Sequence, residues 1–157
     1  MVCLAASQAW GQTFTLEHKS DSLSLLVLEN ADARDVWRLP YPTYAFATAD
    51  VDGDGSIDAM VGVVKPTRFD PRMARRLFVF RNVRGRIRPL WLGSRLCGHL
   101  QDFRTDSRDR LLTLERDRHG TWFVGSYVWQ SFGFTLDTTL VNHASHNTAE
   151  AIFRGLQ

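Results

Sequence analysis

The residues with the clearest chemistry are four aspartates gathered in the segment 50–58. Counting Asp50 as the first position, aspartates fall at positions one, three, five and nine, with Gly53 and Gly55 between them. Calcium prefers about six to eight oxygen ligands, and alternate carboxylates on a tightly wound loop direct several oxygens at one centre. Glycine lets the backbone turn sharply between such ligands. The predicted calcium ligands are the side chains of Asp50, Asp52, Asp54 and Asp58 and the backbone carbonyl of Ser56.

Two other interpretations of this segment fit less well. An EF-hand needs a bidentate glutamate at position twelve, where this chain has Val61. It also needs flanking helices, whereas the segments 46–49 and 59–64 are typical of strands. A plain solvated turn would leave four carboxylates to repel one another within nine residues. We therefore expect one bound calcium ion between two strands.

The strands that would position this loop occur as repeated hairpins. The segments 24–30, 76–82 and 121–127 are alike, and each is followed, after a polar turn, by a second apolar segment. These second segments are 36–39, 89–92 and 132–136. Apolar residues at consecutive positions, as in 25–28 and 60–64, indicate strands buried on both faces.

A further pair of segments precedes the second and third hairpins, so the repeat unit is predicted to contain four strands. These pairs are 46–50 with 59–64 and 103–106 with 111–115. The three hairpins begin 52 and 45 residues apart, close to the period of about 40 to 50 residues that propeller blades show. The predicted units are 23–45, 46–100 and 101–140, with a tail at 141–157.

The acidic segment and its flanks also resemble a known group of repeats. The pattern Asp50-x-Asp52-Gly53-Asp54-Gly55-x-x-Asp58 follows a short strand that begins at Phe46 and precedes the apolar strand 59–64. It is similar to the calcium loop of FG-GAP/VCBS-type β-propeller repeats. The resemblance implies that the loop joins the two inner strands of a blade and that calcium stiffens the hairpin.

The chain departs from that group in two respects. The Phe-Gly and Gly-Ala-Pro signatures of the group are not evident, and the corresponding loop of the next unit is shortened to residues 105–110. In that loop Arg108 and Arg110 would supply the positive charge that a metal supplies elsewhere.

The predicted fold is all-β and antiparallel, with about two and a half propeller-blade-like units in one domain spanning 12–157. Propellers normally close with at least about four blades. The exposed blade faces would therefore need a cover, either the ends 14–18 and 141–157, a partner chain in a homo-oligomer, or further blades of a longer propeller. Helices are predicted only at 70–76 and 146–155.

The first eleven residues resemble the end of a signal peptide. They form an apolar stretch with small residues at the spacing a signal peptidase accepts, although no basic residue occurs before Lys19. This favours a secreted, periplasmic or cell-surface protein. Cys97 would then remain as a single buried thiol after Cys3 is removed. No segment approaches the roughly 20 apolar residues of a membrane span.

Several other residues could form binding or catalytic sites. The residues His143, His146 and Glu150 would share one face if the tail were helical from residue 143, although a polar tail with scattered histidines is the simpler interpretation. Candidates for ligand binding are Tyr127, Trp129, Arg84 and Arg86. The arginines within 68–88 could meet a polyanion, but no nucleic-acid recognition motif accompanies them.

Two functions fit these patterns. The first is an exported, non-catalytic module that calcium stabilises and that binds a protein or glycan partner or serves in adhesion. The alternative is a polysaccharide-acting enzyme, or its accessory domain, with a cleft lined by Tyr127, Trp129, arginines and His143. The first is favoured because no phosphate loop, nucleophile elbow or cysteine metal-ligand pair is present in the sequence.

Overall fold

The computed structural model describes residues 11–93 and 96–156, which form eleven strands and one helix. The strands are β1 Thr13–Ser20, β2 Leu23–Glu29, β3 Arg34–Leu39, β4 Thr43–Ala49, β5 Asp58–Thr67, β6 Asp70–Val83, β7 Arg86–Leu92, β8 His99–Thr105, β9 Leu111–Arg116, β10 Trp122–Gln130 and β11 Gly133–Ala144, and the helix is α1 His146–Gly155. The predicted leader at 1–11 lies outside the described residues except for Gly11.

The strands form three antiparallel sheets in chain order. The first sheet has the order β1-β2-β3, the second β4-β5-β6-β7 and the third β11-β10-β9-β8. The all-β prediction and the predicted hairpins are therefore confirmed. The three sheets do not close into a ring among the described residues, so the propeller interpretation stays a prediction.

The bounds of the sheets differ from the units expected from the repeat. The segment 14–18, which the repeat left unmatched, lies in β1 and pairs with β2, so the first sheet begins at Thr13. The second sheet ends at Leu92 and the third extends to Ala144. By order along the chain, β1 corresponds to β5 and β9, so the described part of the first sheet has no counterpart of β4.

The second sheet lies between the other two and is buried on both faces. Alternate residues of β5 and β6 point to opposite sides because strand side chains have a period of two. Val61 and Phe78 pack with the first sheet, whereas Met60 and Val79 pack with the third. The consecutive apolar run of β5 is thus explained, and the prediction of burial on both faces is confirmed for this sheet.

The two ends of the stack are covered in different ways. Helix α1 places Ala149 and Phe153 on the outer face of the third sheet, against Leu112, Leu114 and Val124. The hydroxyl of Ser145 accepts a hydrogen bond from the Thr148 backbone N–H at 3.2 Å and so caps the helix. The predicted helix at 146–155 is confirmed.

The outer face of the first sheet carries charged side chains. Glu17 pairs with Lys19 at 2.7 Å and with Arg34 at 3.5 Å, and Arg34 also contacts Glu29 at 3.2 Å. Such exposed pairs stabilise the fold little, but their long side chains cover apolar surface while their charges stay in water.

Two expectations about local structure are wrong. The segment 70–76 is the start of β6, since it pairs with β5 through Lys65 opposite Ala74 and Thr67 opposite Asp70. Tertiary pairing here overrides a weak helical preference. Cys97, expected to be buried, is exposed because it lies in the connection between the second and third sheets.

A buried carboxyl group fixes that connection. Glu115 accepts hydrogen bonds from the hydroxyls of Thr113 at 2.6 Å and Tyr127 at 2.7 Å, and from the Gly98 N–H at 2.6 Å. The Tyr127 hydroxyl in turn accepts the Cys97 N–H at 3.1 Å. Burial raises the pKa of Glu115, although these three donors oppose the shift.

Replacing Tyr127 by phenylalanine tests this network. The substitution leaves the Cys97 N–H without its acceptor and Glu115 without one donor, and we expect a loss of about 1 to 3 kcal/mol in the free energy of unfolding. Urea denaturation followed by circular dichroism measures it. Tyr41→Phe is the matched control, because the Tyr41 hydroxyl makes no hydrogen bond among the described residues. Equal stability of the two variants would contradict the role of the network.

Replacing Phe153 by alanine tests whether α1 covers the third sheet. Phe153 is 5% exposed, so we expect a destabilisation of about 3 to 5 kcal/mol from lost burial and the remaining cavity. Ile152→Ala on the same helix is the control, since Ile152 is 36% exposed and should cost much less. A Phe153→Ala protein as stable as the Ile152→Ala protein in urea would show that α1 does not pack as described.

Candidate metal centre

The acidic segment is the loop between β4 and β5 of the second sheet. Ala49 pairs with Asp58 as the first rung of this hairpin, which brings the two ends of the loop together. Gly53 and Gly55 have φ values of 74° and 88°, a region that glycine enters without strain. The predicted sharp turns between aspartates are therefore present.

Three of the predicted ligands converge. Asp50, Asp52 and Asp58 each offer one carboxylate oxygen, and these oxygens all lie within 4.8 Å of one another. This cluster could hold a metal ion. Asp54 lies outside the cluster, since its side chain is exposed and its Oδ1 accepts the Ser56 N–H at 2.7 Å. The role of the Ser56 carbonyl stays a prediction.

Hydrogen bonds within the loop hold one carboxylate oxygen of Asp50 and one of Asp58, and the second oxygen of each remains unpaired. Oδ2 of Asp50 accepts the Gly55 N–H at 2.9 Å, and Oδ2 of Asp58 accepts the Val51 N–H at 3.1 Å. The Oδ1 atoms of Asp50 and Asp58 are buried and have no hydrogen-bond partner among the described residues. Buried polar atoms without a partner are rare in folded proteins, and an ion is one explanation for them.

The charge of the cluster is poorly compensated by the protein itself. Asp58 is completely buried, and its desolvation, together with repulsion from the neighbouring aspartates, raises the pKa of Asp58 to about 7 despite the hydrogen bond from Val51. Among residues 11–93 and 96–156, the cation paired with this cluster is Arg81, whose Nη1 lies 3.9 Å from Oδ2 of Asp52. One guanidinium cannot neutralise the carboxylates of this loop.

Sequence reasoning missed Gln12 as a support of the loop. Its side-chain N–H donates to the carbonyl oxygen of Ile57 at 2.6 Å, and its Oε1 accepts from the Asn82 amide at 2.6 Å. Gln12 therefore links the residues just before β1 to the acidic loop and to β6. No feature of the segment around Gln12 distinguishes it in the sequence.

The equivalent loop of the third sheet is closed by arginine. Asp106 accepts hydrogen bonds from the backbone N–H groups of Arg108 and Arg110, and the Arg110 Nε lies 2.9 Å from Oδ2 of Asp106. Burial favours a higher pKa, yet these contacts leave the pKa of Asp106 below its ordinary value. Arg110 therefore takes the position of a counter-ion in this loop.

The four residues expected to bind a ligand do not share one accessible surface. Tyr127 is 1% exposed and holds Glu115, while Trp129 packs edge-on against Phe134 in the core between the second and third sheets. Arg84 lies in the turn between β6 and β7. Arg86 faces the first sheet, where its Nη1 lies 3.1 Å from Asp35 Oδ1.

The histidine-rich tail does not form the helical face that its spacing allows. His143 lies in β11, with its Nδ1 4.0 Å from Asp117 Oδ2. His146 and Glu150 are one turn apart on α1, and their side chains are separated by 3.9 Å. The hypothesis that the three residues share one helical face is therefore wrong.

A comparison of the chain with protein-family models finds no match, and a comparison with curated proteins finds none either. Within residues 11–93 and 96–156, no helix is long and apolar enough to cross a membrane.

Proposed function

We propose that Asp50, Asp52 and Asp58 bind one calcium ion, which stabilises the hairpin of β4 and β5. The observation that supports this most directly is the pair of buried, unpartnered Oδ1 atoms of Asp50 and Asp58 beside an oxygen of Asp52. Bound calcium would satisfy both atoms and keep the Asp58 carboxylate ionised in spite of its burial.

The donor set favours calcium among the common metal ions. All the converging atoms are carboxylate oxygens, which suit hard cations rather than zinc or copper. Magnesium requires near-ideal octahedral geometry and dehydrates reluctantly, whereas calcium accepts irregular coordination. The Ser56 carbonyl and water, or Asp54 after a change of rotamer, would complete the coordination shell.

The ion would have a structural role. Sensor proteins respond to calcium because a helix pair opens, whereas this loop joins two strands of a sheet that is buried on both faces. Calcium here would hold the ends of the hairpin together and would not switch the sheet between two conformations. Millimolar calcium outside the cell would suit a site of modest affinity, in keeping with the proposed export.

We infer that the whole chain is a non-catalytic binding or adhesion module, secreted or at the cell surface, with a protein or glycan partner. The repeated sheets and the structural character of the loop support this, as does the resemblance of the loop to FG-GAP/VCBS repeats. The alternative, a polysaccharide-acting enzyme, loses support because Tyr127 is buried and the other three candidates contact different parts of the core and surface.

Calcium binding is measured by calorimetry and by thermal melting with calcium or with a chelator. For a site with a Kd of about 10⁻⁴ to 10⁻³ M, about 10 mM calcium adds about 1.4 to 2.7 kcal/mol to the free energy of unfolding. The melting temperature should rise by about 3 to 10 °C, and the same concentration of magnesium should raise it less.

Asp52→Asn should remove most of the calcium effect, because it deletes one charged ligand and keeps the acceptor for the Asp54 N–H. Asp32→Asn, in the turn between β2 and β3, makes the same change of charge away from the loop and should leave calcium binding intact. Absence of heat at millimolar calcium, or an Asp52→Asn protein that responds as the parent does, would refute the proposal.

A further inference from the structure

A cavity of about 510 Å³ lies at the far end of the second sheet from the acidic loop. Strand β5 begins at Asp58 and ends at Thr67, so its ten residues separate the two places by about 30 Å. The cavity is bounded by the β5–β6 hairpin on one side and by Gly93, Leu96, Gly98 and the start of β8 on the other. Its volume falls within the range of small-molecule sites, about 300 to 1,000 Å³.

One side of the cavity is strongly basic. Its lining includes four arginines and one aspartate, a net charge of +3 with His99 taken as neutral, whereas the whole chain carries +2. The arginines are Arg68, Arg72, Arg75 and Arg76, and the aspartate is Asp70. The described lining of this cavity therefore carries more net positive charge than the chain as a whole.

Two of these arginines are held in place by Asp70. Arg72 donates from Nε and Nη2 to the Asp70 carboxylate at 2.9 and 3.1 Å, and Arg76 Nη2 donates to the same carboxylate at 2.9 Å. Arg76 also donates from Nε to the Lys65 carbonyl at 3.3 Å. The Nη1 groups of Arg72 and Arg76 have no acceptor among the described residues. Asp70 thus orients two guanidinium groups without using all their donors.

The remaining arginines differ in how they are held. Arg75 donates to the Gln101 carbonyl and lies 4.6 Å above the centre of the Tyr44 ring. Arg68 forms no ion pair or hydrogen bond among the described residues, and its guanidinium carbon lies 5.7 Å from the centre of the Phe69 ring. Arg68 therefore brings a charge that is not paired within the described residues to the lining of the cavity.

The lining of the cavity also includes apolar residues. Leu77, Trp91 and Leu96 belong to the core and line the cavity, and Trp91 and Leu96 each keep 8% of their surface exposed. Phe69, on the tip of the β5–β6 hairpin, also lines it and is 90% exposed. A ligand that covered Phe69 would remove a large aromatic surface from water.

We propose that this cavity binds a small organic anion, a carboxylate, sulfate or phosphate group attached to an apolar body. The anionic group would lie against Arg68 and the free donors of Arg72 and Arg76, since guanidinium groups bind planar and tetrahedral oxyanions through paired donors. The apolar body would lie against Trp91 and Phe69. This site is independent of the proposed calcium site, and the two can be tested separately.

The test uses naphthalene-2-sulfonate as the probe in isothermal titration calorimetry on the full chain. Two control ligands each carry one half of the probe. The first, 2-naphthol, has the aromatic ring without the charge, and inorganic sulfate has an oxyanion without the ring. We expect one molecule of the sulfonate to bind at least ten-fold more tightly than either. Backbone amide shifts in nuclear magnetic resonance should locate it at residues 67–76 and 99–100.

Arg68→Gln and Arg72→Gln should each weaken sulfonate binding several-fold, and together at least ten-fold. Arg84→Gln is the matched control, because Arg84 lies in the turn at the opposite end of β6 and should leave binding unchanged. Arg68 has no partner to lose, so the Arg68→Gln protein should melt at the parent temperature and report binding alone. Three results would overturn the proposal: no sulfonate binding at millimolar concentration, equal binding of 2-naphthol or sulfate, or equal losses in Arg68→Gln and Arg84→Gln.

Discussion

The burial of both faces of the second sheet is the constraint on which the rest of this fold depends. A four-stranded sheet with apolar residues at consecutive positions cannot stay in water, so it needs a layer on each side. The first and third sheets provide those layers, and each then exposes an outer face of its own. Among the described residues, helix α1 covers one outer face, and exposed ion pairs lie on the other.

This constraint also explains why the acidic loop needs a nearby positive charge. Asp58 begins β5, the most buried strand, so its carboxylate is drawn into the core by the pairing with Ala49. Desolvation of one carboxylate beside two others is unfavourable unless positive charge is near. In the third sheet Arg110 provides that charge from within the loop, whereas the glycine-rich loop of the second sheet contains no basic residue. A cation would play the same part in the second sheet that arginine plays in the third.

Much of this architecture could be predicted from local patterns. The hairpins followed from apolar runs separated by polar turns, and α1 followed from the residues 146–155. The features that the sequence did not predict depend on contacts between residues that are distant in the chain. The segment 70–76 became a strand because it pairs with β5, Tyr127 was drawn into the core by Glu115, and Gln12 reaches a loop 45 residues away. Of the predicted ligands, spacing placed Asp50, Asp52 and Asp58 together but could not show that Asp54 turns outward.

The arginines within 68–88 show why a charge pattern needs a fold before it can be interpreted. In the sequence they form one basic segment, but β6, the turn after it and the start of β7 distribute them along the length of the second sheet. Arg81 and Arg86 meet Asp52 and Asp35 and are compensated. Arg72 and Arg76, near the start of β6, share the Asp70 carboxylate and border a cavity. The basic segment thus contains some arginines that form ion pairs within the fold and others that leave net positive charge beside a cavity, and this second group is the one that points to a ligand.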